Sequence, residues 1–279
     1  KIIKEHLIRY LYVQKRVEAK IKQLSPKVVI TVDGYNFTKK IFTEIANKNN
    51  IPTIELQHGT IGALHLSYNY PSGINLNSFP LYFFSWGEYW HEDARFPSAT
   101  RIYNLGFPFM DIQKKKMNIL KQRENNILVS SQWTIGLELM NYINNFAEST
   151  RAHNFIVKLH PLEFDSIESY KKLALHSNIS FVTNEMNIYD LFSMCKTHIG
   201  VYSTTLIEGL AFNLRTLIVP LNGYEMYKGM LDLGYMLKVN SSAELNNLLK
   251  KEIEENSTEK LWVSNALTNV TSNIEKLMK

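Results

Sequence analysis

The stretch THIGVYSTTLIEGLAF, residues 197–212, reads as a short apolar strand, a turn of hydroxyl residues, and then apolar residues at helical spacing (Leu206, Ile207, Leu210, Ala211). Two earlier stretches repeat the strand-to-helix pattern. NILVSSQWTIG (126–136) leads into a helix expected from about Gly136 to Ala147, and NFIVKLHPLEF (154–164) leads into one near Ile167–Leu175. Between and beyond them lie ISFV (179–182), an expected helix over Ile188–Met194, RTLIVP (215–220) and YMLKV (235–239), with the helix after the quoted turn expected over Thr205–Phe212. Six strand-like runs alternating with helices describe a doubly wound parallel sheet.

The same alternation extends toward the amino end through KVVITV (27–32), NFTKKIFTEIANKNN (36–50), PTIELQ (52–57), LYFFSW (81–86) and RIYNLG (101–106). The expected class is therefore α/β, with two Rossmann-like doubly wound domains facing across a cleft. The expected division is residues 1–112 on the acceptor side, a linker over 113–126, a donor-binding domain over 127–255, and a closing helix over 256–279. DIQKKKMNILKQRENN (111–126) is polar and basic without strand character, as a linker should be. KIIKEHLIRYLYVQKRVEAKIKQL (1–24) places Ile3, Leu7, Tyr10, Leu11, Gln14, Val17 and Ile21 at helical spacing. That helix has no visible start signal, so the amino-terminal domain is expected to be incomplete.

With 279 residues, 45% of them hydrophobic, the chain is long enough for two ordinary domains. One cysteine, Cys195, excludes a disulfide framework or a cysteine-based metal site within a single chain and fits a reducing cytoplasm. No apolar run approaches the roughly 18 to 20 residues of a membrane span. A net charge of +5 is too mild to indicate nucleic acid as a partner. The basic first helix leaves two options, a solvated surface helix or peripheral contact with the inner face of the cytoplasmic membrane.

Four clusters fall at strand ends: Asp33-Gly34, Gln57-His58-Gly59, His160-Pro161, and Ser203-Thr204-Thr205 followed by Glu208. Ligands of open parallel sheets bind outside the carboxyl ends of the strands. Pro161 holds His160 extended, which suits a hydrogen bond to a phosphate or leaving group. The helix start at Ser203 and Thr204 suits an anion, while Thr205 and Glu208 also have capping-box spacing. Ser131, Gln132 and Thr134 occupy a comparable turn, where Gly136 permits a close backbone approach. Either Asp33 or His58 could accept a proton from a hydroxyl, and Asp33 could instead serve as a turn or helix cap. His65, Tyr68 and Tyr70 lie in a loop that could bind an acceptor, together with Gln57 and Gly59. Trp86 and Trp90, in FFSWGEYWHED beside Glu88, suit sugar stacking or packing equally. There is no GxGxxG or GxxxxGK[ST] motif, and the histidines show no paired metal spacing.

The order DG (33–34), QHG (57–59), KLHP (158–161) and YSTTLIEGLAF (202–212) resembles the bacterial capsule and surface-polysaccharide transferases of the GT-B fold. These include sialyl- and polysialyltransferases, Kdo transferases and CDP-glycerol glycerophosphotransferases. The resemblance covers roughly residues 26–220. It implies Asp33 as base by the sialyltransferase pattern, or His58 by the teichoic-acid pattern. It also implies phosphate contacts from His160, Ser203 and Thr204; apart from the resemblance, their strand-end positions put Ser131, Gln132, Thr134, Pro161, Thr205 and Glu208 around the expected donor. Only one acidic residue precedes Gly34, where some sialyltransferases have two. The implied activity is metal-independent and cofactor-free transfer from a nucleotide-activated sugar, of CMP-sialic acid or CMP-Kdo type, to a surface polysaccharide or its lipid-linked precursor. A CDP-glycerol-type polyol-phosphate transferase, a nucleotide-sugar epimerase of the same architecture and a non-catalytic interaction module are the alternatives.

Overall fold

The computed structural model describes residues 2–63, 65–116, 125–251 and 257–279. Two compact units emerge: residues 1–111 with 259–279, and residues 112–258. Each is built on a parallel sheet whose inner strands are apolar because both faces are covered, whereas the edge strand at residues 29–32 of the first unit leaves Ile30 and Val32 exposed.

The first unit opens with α1 (Ile2–Leu24), whose Val17 and Ile21 pack on Ile41 and Ile45 of α2 (Phe37–Lys48). Its strands β1 (Val29–Val32), β2 (Thr53–Leu56), β3 (Tyr82–Ser85) and β4 (Arg101–Asn104) pair in sequence order, all parallel. α3 (Pro108–Lys116) follows the last strand, and α10 (Ala266–Leu277) returns to this unit, where Val270 packs on Ile54, Phe84 and Leu105. The closing segment therefore completes the first sheet's core, and its helix is shorter than residues 256–279. Helix α3 also runs into the expected linker, up to Lys116. Residues 117–124 of that linker lie outside the described residues.

The second unit comprises β5 (Asn126–Ser130), α4 (Gly136–Ser149), β6 (Asn154–Lys158), α5 (Ile167–Leu173), β7 (Ile179–Val182), α6 (Ile188–Met194), β8 (Thr197–Gly200), α7 (Thr204–Ala211), β9 (Arg215–Ile218), α8 (Lys228–Asp232), β10 (Leu237–Lys238) and α9 (Ser242–Lys250). The strands lie in the order β7-β6-β5-β8-β9-β10, all parallel. Counted within the unit this is 3-2-1-4-5-6, and the direction of winding reverses between β5 and β8. Ile127, Val129, Phe155, Val157, Ile199 and Leu217 form a continuous apolar layer beneath α4. No described helix is long and apolar enough to cross a membrane.

Candidate functional site

In the first unit the carboxyl ends of β1 and β2 bring the DG and QHG clusters together. Asp33 leaves β1 with a left-handed backbone (φ 50°), a conformation that aspartate tolerates better than most residues. Its carbonyl accepts from Asn36 N–H at 3.1 Å, and its carboxylate pairs with Lys39. Asn36, not Asp33, caps α2 by accepting from Thr38 N–H at 3.1 Å. The exposed His58 ring lies with its Nε2 3.3 Å from the Tyr35 hydroxyl. Crowding by its surroundings pushes the His58 pKa below the ordinary histidine value, and the charge of Asp33 pulls partly the other way. Neutral at pH 7, His58 keeps a lone pair for a proton, whereas Asp33 shares its charge with Lys39.

Several neighbours of that pair are structural. Gln57 is buried: its Oε1 accepts from Ser85 Oγ–H at 3.0 Å and Trp86 N–H at 2.8 Å, and its amide donates to Gly59 O at 2.8 Å. It joins the ends of β2 and β3 and has little left for an acceptor. Tyr68 is buried as well, and its hydroxyl donates to Glu55 Oε1 at 2.6 Å, which corrects its expected place in an acceptor loop. His65 packs at a tilt against Tyr35 (ring centroids 5.6 Å apart) and Tyr68 (4.7 Å), and Tyr70 packs edge-on against Phe79. Trp86, Trp90 and Trp262 form a buried cluster with Phe107, and Trp90 Nε1–H donates to Leu261 O at 2.7 Å. Packing, not sugar stacking, accounts for these tryptophans.

Sequence reasoning missed Glu55. The residue is fully buried in β2, and its Oε1 also accepts from Gly34 N–H at 2.9 Å. Burial raises its pKa, partly offset by the bonds from Tyr68 and Gly34. A charged residue inside PTIELQ, a strand covered on both faces, was the available signal.

In the second unit the turns that carry the expected site residues follow β5, β6 and β8. His160 is exposed and extended (φ −68°, ψ 148°), as its proline requires. Its Nδ1 accepts from Leu162 N–H at 3.2 Å, which leaves the ring proton on Nε2. His160 therefore presents a donor outward. Glu163, also missed, is buried and holds this turn: its Oε2 accepts from His160 N–H at 2.8 Å, and its Oε1 accepts from Ser131 Oγ–H at 2.9 Å and from the Tyr170 hydroxyl. The H-P-x-E spacing was a readable capping box. Ser131 is thus buried and internally bonded, a support for the turn in place of the expected ligand contact. Gly136 is required there, since a Cβ would lie 2.2 Å from Glu163 Oε1.

Gln132 Oε1 accepts from Tyr202 N–H at 3.1 Å, and Thr134 Oγ1 bonds the Tyr202 hydroxyl, so the turns after β5 and β8 are joined. Ser203 caps α7, accepting from Thr205 N–H at 3.4 Å. The Thr205–Glu208 box expected from sequence does not form, because Thr205 lies inside the helix and Glu208 accepts from the Tyr189 hydroxyl. Thr204 is exposed at the first position of that helix. Among the described residues no group of three or more His, Cys, Asp or Glu side chains could hold a metal ion.

No family model matches the sequence, and no curated protein matches it. Solved structures do match in fold. The UDP-GlcNAc 2-epimerase of Neisseria meningitidis bound to UDP-GlcNAc superposes with a TM-score of 0.64 at 13% identity, covering 96% of this chain and 81% of that one. MurG of Acinetobacter baumannii gives 0.62 at 13%, covering 96% and 78%. The fold is of the GT-B type. The wall teichoic acid polymerase TagF, soaked with CDPG, is similar over a smaller part, with a TM-score of 0.52 at 16% identity, covering 83% of this chain and 68% of that one.

Proposed function

We propose that this chain is an enzyme acting on a nucleotide-activated sugar of the UDP class, with C2 epimerisation as the leading reaction. The observation that carries the reading is the reversal of strand order between β5 and β8 in the second unit, with the turns of Gln132–Thr134 and Tyr202–Thr204 at its carboxyl edge. Dinucleotides and nucleotides bind parallel sheets at such a reversal. Here a diphosphate would meet the exposed amino end of α7, the Ser203 hydroxyl and, from the neighbouring turn, the Nε2–H of His160. His58, with Asp33 beside it on the first unit, forms the pair of side chains with proton-handling chemistry.

UDP-sugars take precedence over the CMP-sugars suggested by the motifs because the structures of similar fold include an epimerase with UDP-GlcNAc bound. Inverting a carbon requires one group to remove a proton and another to return one to the opposite face. His58, unprotonated, would be the group that removes the proton. Sugar transfer is the second reading, favoured by one observation: His58 is exposed, held by the Tyr35 hydroxyl and not by a carboxylate, as a base for an incoming hydroxyl would be.

Incubation with UDP-GlcNAc in heavy water, followed by proton NMR, separates the two. Epimerisation yields the manno epimer with deuterium at C2 and needs no acceptor. A transferase leaves C2 protonated and releases UDP only when an acceptor is added. A protein that binds CMP or CDP but not UDP would contradict the UDP assignment.

A further inference from the structure

The buried imidazole of His198, in the middle of β8, has no place in the proposed chemistry, yet it begins a chain of hydrogen bonds that ends at the phosphate turn. Its Nε2 lies 2.7 Å from Ser130 Oγ, Ser130 Oγ lies 2.9 Å from Thr205 Oγ1, and Thr205 Oγ1 lies 2.8 Å from Ser203 Oγ. Nδ1 has no hydrogen-bond partner. It faces Gly209, where a Cβ would come within 2.8 Å of it, while the Phe192 ring packs 5.5 Å away.

These contacts fix which way the protons run. A hydrogen on Nδ1 would be a buried donor without an acceptor, a rarer and costlier condition than a bare acceptor. The hydrogen therefore sits on Nε2 and is donated to Ser130. Ser130 has a single hydrogen, which passes to Thr205 Oγ1, and Thr205 passes its own to Ser203 Oγ. Ser203 Oγ already accepts from Thr205 N–H as well. Both of its acceptor positions are filled, and its own hydrogen can only point outward. Burial pushes the His198 pKa down to about 3, so the ring stays neutral and the order is kept across the physiological range.

We propose that His198 is a positioning residue that sets the direction of the Ser130–Thr205–Ser203 chain, so that Ser203 presents a donor to an anionic oxygen of the ligand, a phosphate. The inference rests on the nucleotide reading of this turn and deepens it: the turn selects for ligands that accept a hydrogen bond there, and discriminates a nucleoside diphosphate from its nucleoside.

Calorimetric titration with UDP and with uridine tests it. Thr205→Val cuts the chain while keeping the shape of the side chain, and His198→Leu removes its source. Each should weaken UDP roughly tenfold, the loss of one charge-assisted hydrogen bond, and uridine by less than about twofold. His198→Gln, whose amide nitrogen can replace Nε2, should restore UDP binding to within about twofold of wild type. Ser203→Ala added to Thr205→Val should bring no more than about a further twofold. If Thr205→Val and His198→Leu bind UDP as wild type does while Ser203→Ala alone weakens it, the positioning role is overturned and the nucleotide reading stands. If wild type binds UDP but Ser203→Ala changes nothing, the positioning role alone is overturned; if wild type binds no UDP, the nucleotide reading falls and the positioning role with it.

Discussion

Replacing Gly34 by alanine should destabilise the first unit, and Gly59→Ala is the internal control. The two glycines look alike in sequence, each following a polar residue at a strand end. A Cβ on Gly34 would lie 2.5 Å from Glu55 Oε2 and 3.1 Å from its Cδ, whereas a Cβ on Gly59 meets nothing within 4 Å. Glu55 cannot simply move aside, because its other oxygen holds both the Tyr68 hydroxyl at 2.6 Å and Gly34 N–H at 2.9 Å. Relief requires losing at least one of these buried bonds, about 1–3 kcal/mol. Crowding adds about 1–3 kcal/mol. The sum, about 2–6 kcal/mol, corresponds to a fall in Tm of about 5–20 °C. Equilibrium unfolding in urea of the two variants, followed by tryptophan fluorescence, measures the difference directly, since Trp86, Trp90 and Trp262 lie in the first unit. Equal stability of the two variants, within about 0.5 kcal/mol, would refute the assignment of Glu55 as a fixed buried neighbour of the DG turn.

The pH dependence of stability should report the same carboxyl. A Glu55 pKa raised in the folded state contributes stability that is complete below the unfolded carboxyl value and is lost as pH rises through the folded one. Glu55→Gln should flatten that loss in denaturant titrations carried upward from the ordinary glutamate value, about pH 4. Activity should depend on His58 in the opposite sense: a base must be unprotonated, so the rate should fall only when the pH drops through a His58 pKa lying below the ordinary value. His58→Ala should abolish that limb of the pH–rate profile and lower kcat by about 10²–10⁴. His160→Ala should weaken UDP by roughly tenfold in titration calorimetry, through loss of its outward Nε2 donor, and leave the fold intact because the residue is exposed.

Periodicity made the parallel α/β plan legible, because continuous apolar runs alternating with helical spacing have few other solutions. Strand-end placement likewise located the turns at Asp33, His58, His160 and Ser203. What the sequence did not disclose was which polar side chains at those turns spend their hydrogen bonds inward. Gln57, Ser131, Tyr68 and Glu208 have the chemistry of ligand-binding residues, but each is engaged by a partner distant in the chain: Ser85, Glu163, Glu55 and Tyr189 respectively. Such partners are chosen by strand order, which local spacing does not encode. The return of α10 to the first unit is hidden for the same reason. Glu163, by contrast, stands three residues after His160 in plain capping-box register and could have been read.

If the second unit binds a UDP-sugar's nucleotide where its strand order reverses, bound UDP must slow amide hydrogen exchange in the backbone it orders, and exchange measured with and without saturating UDP reads this out. Protection should concentrate in the turns at residues 131–134, 160–163 and 202–206, with little change in residues 171–181 or at the amino end of α9. Protection absent from all three turns, or centred elsewhere in the chain, would contradict nucleotide binding at that reversal.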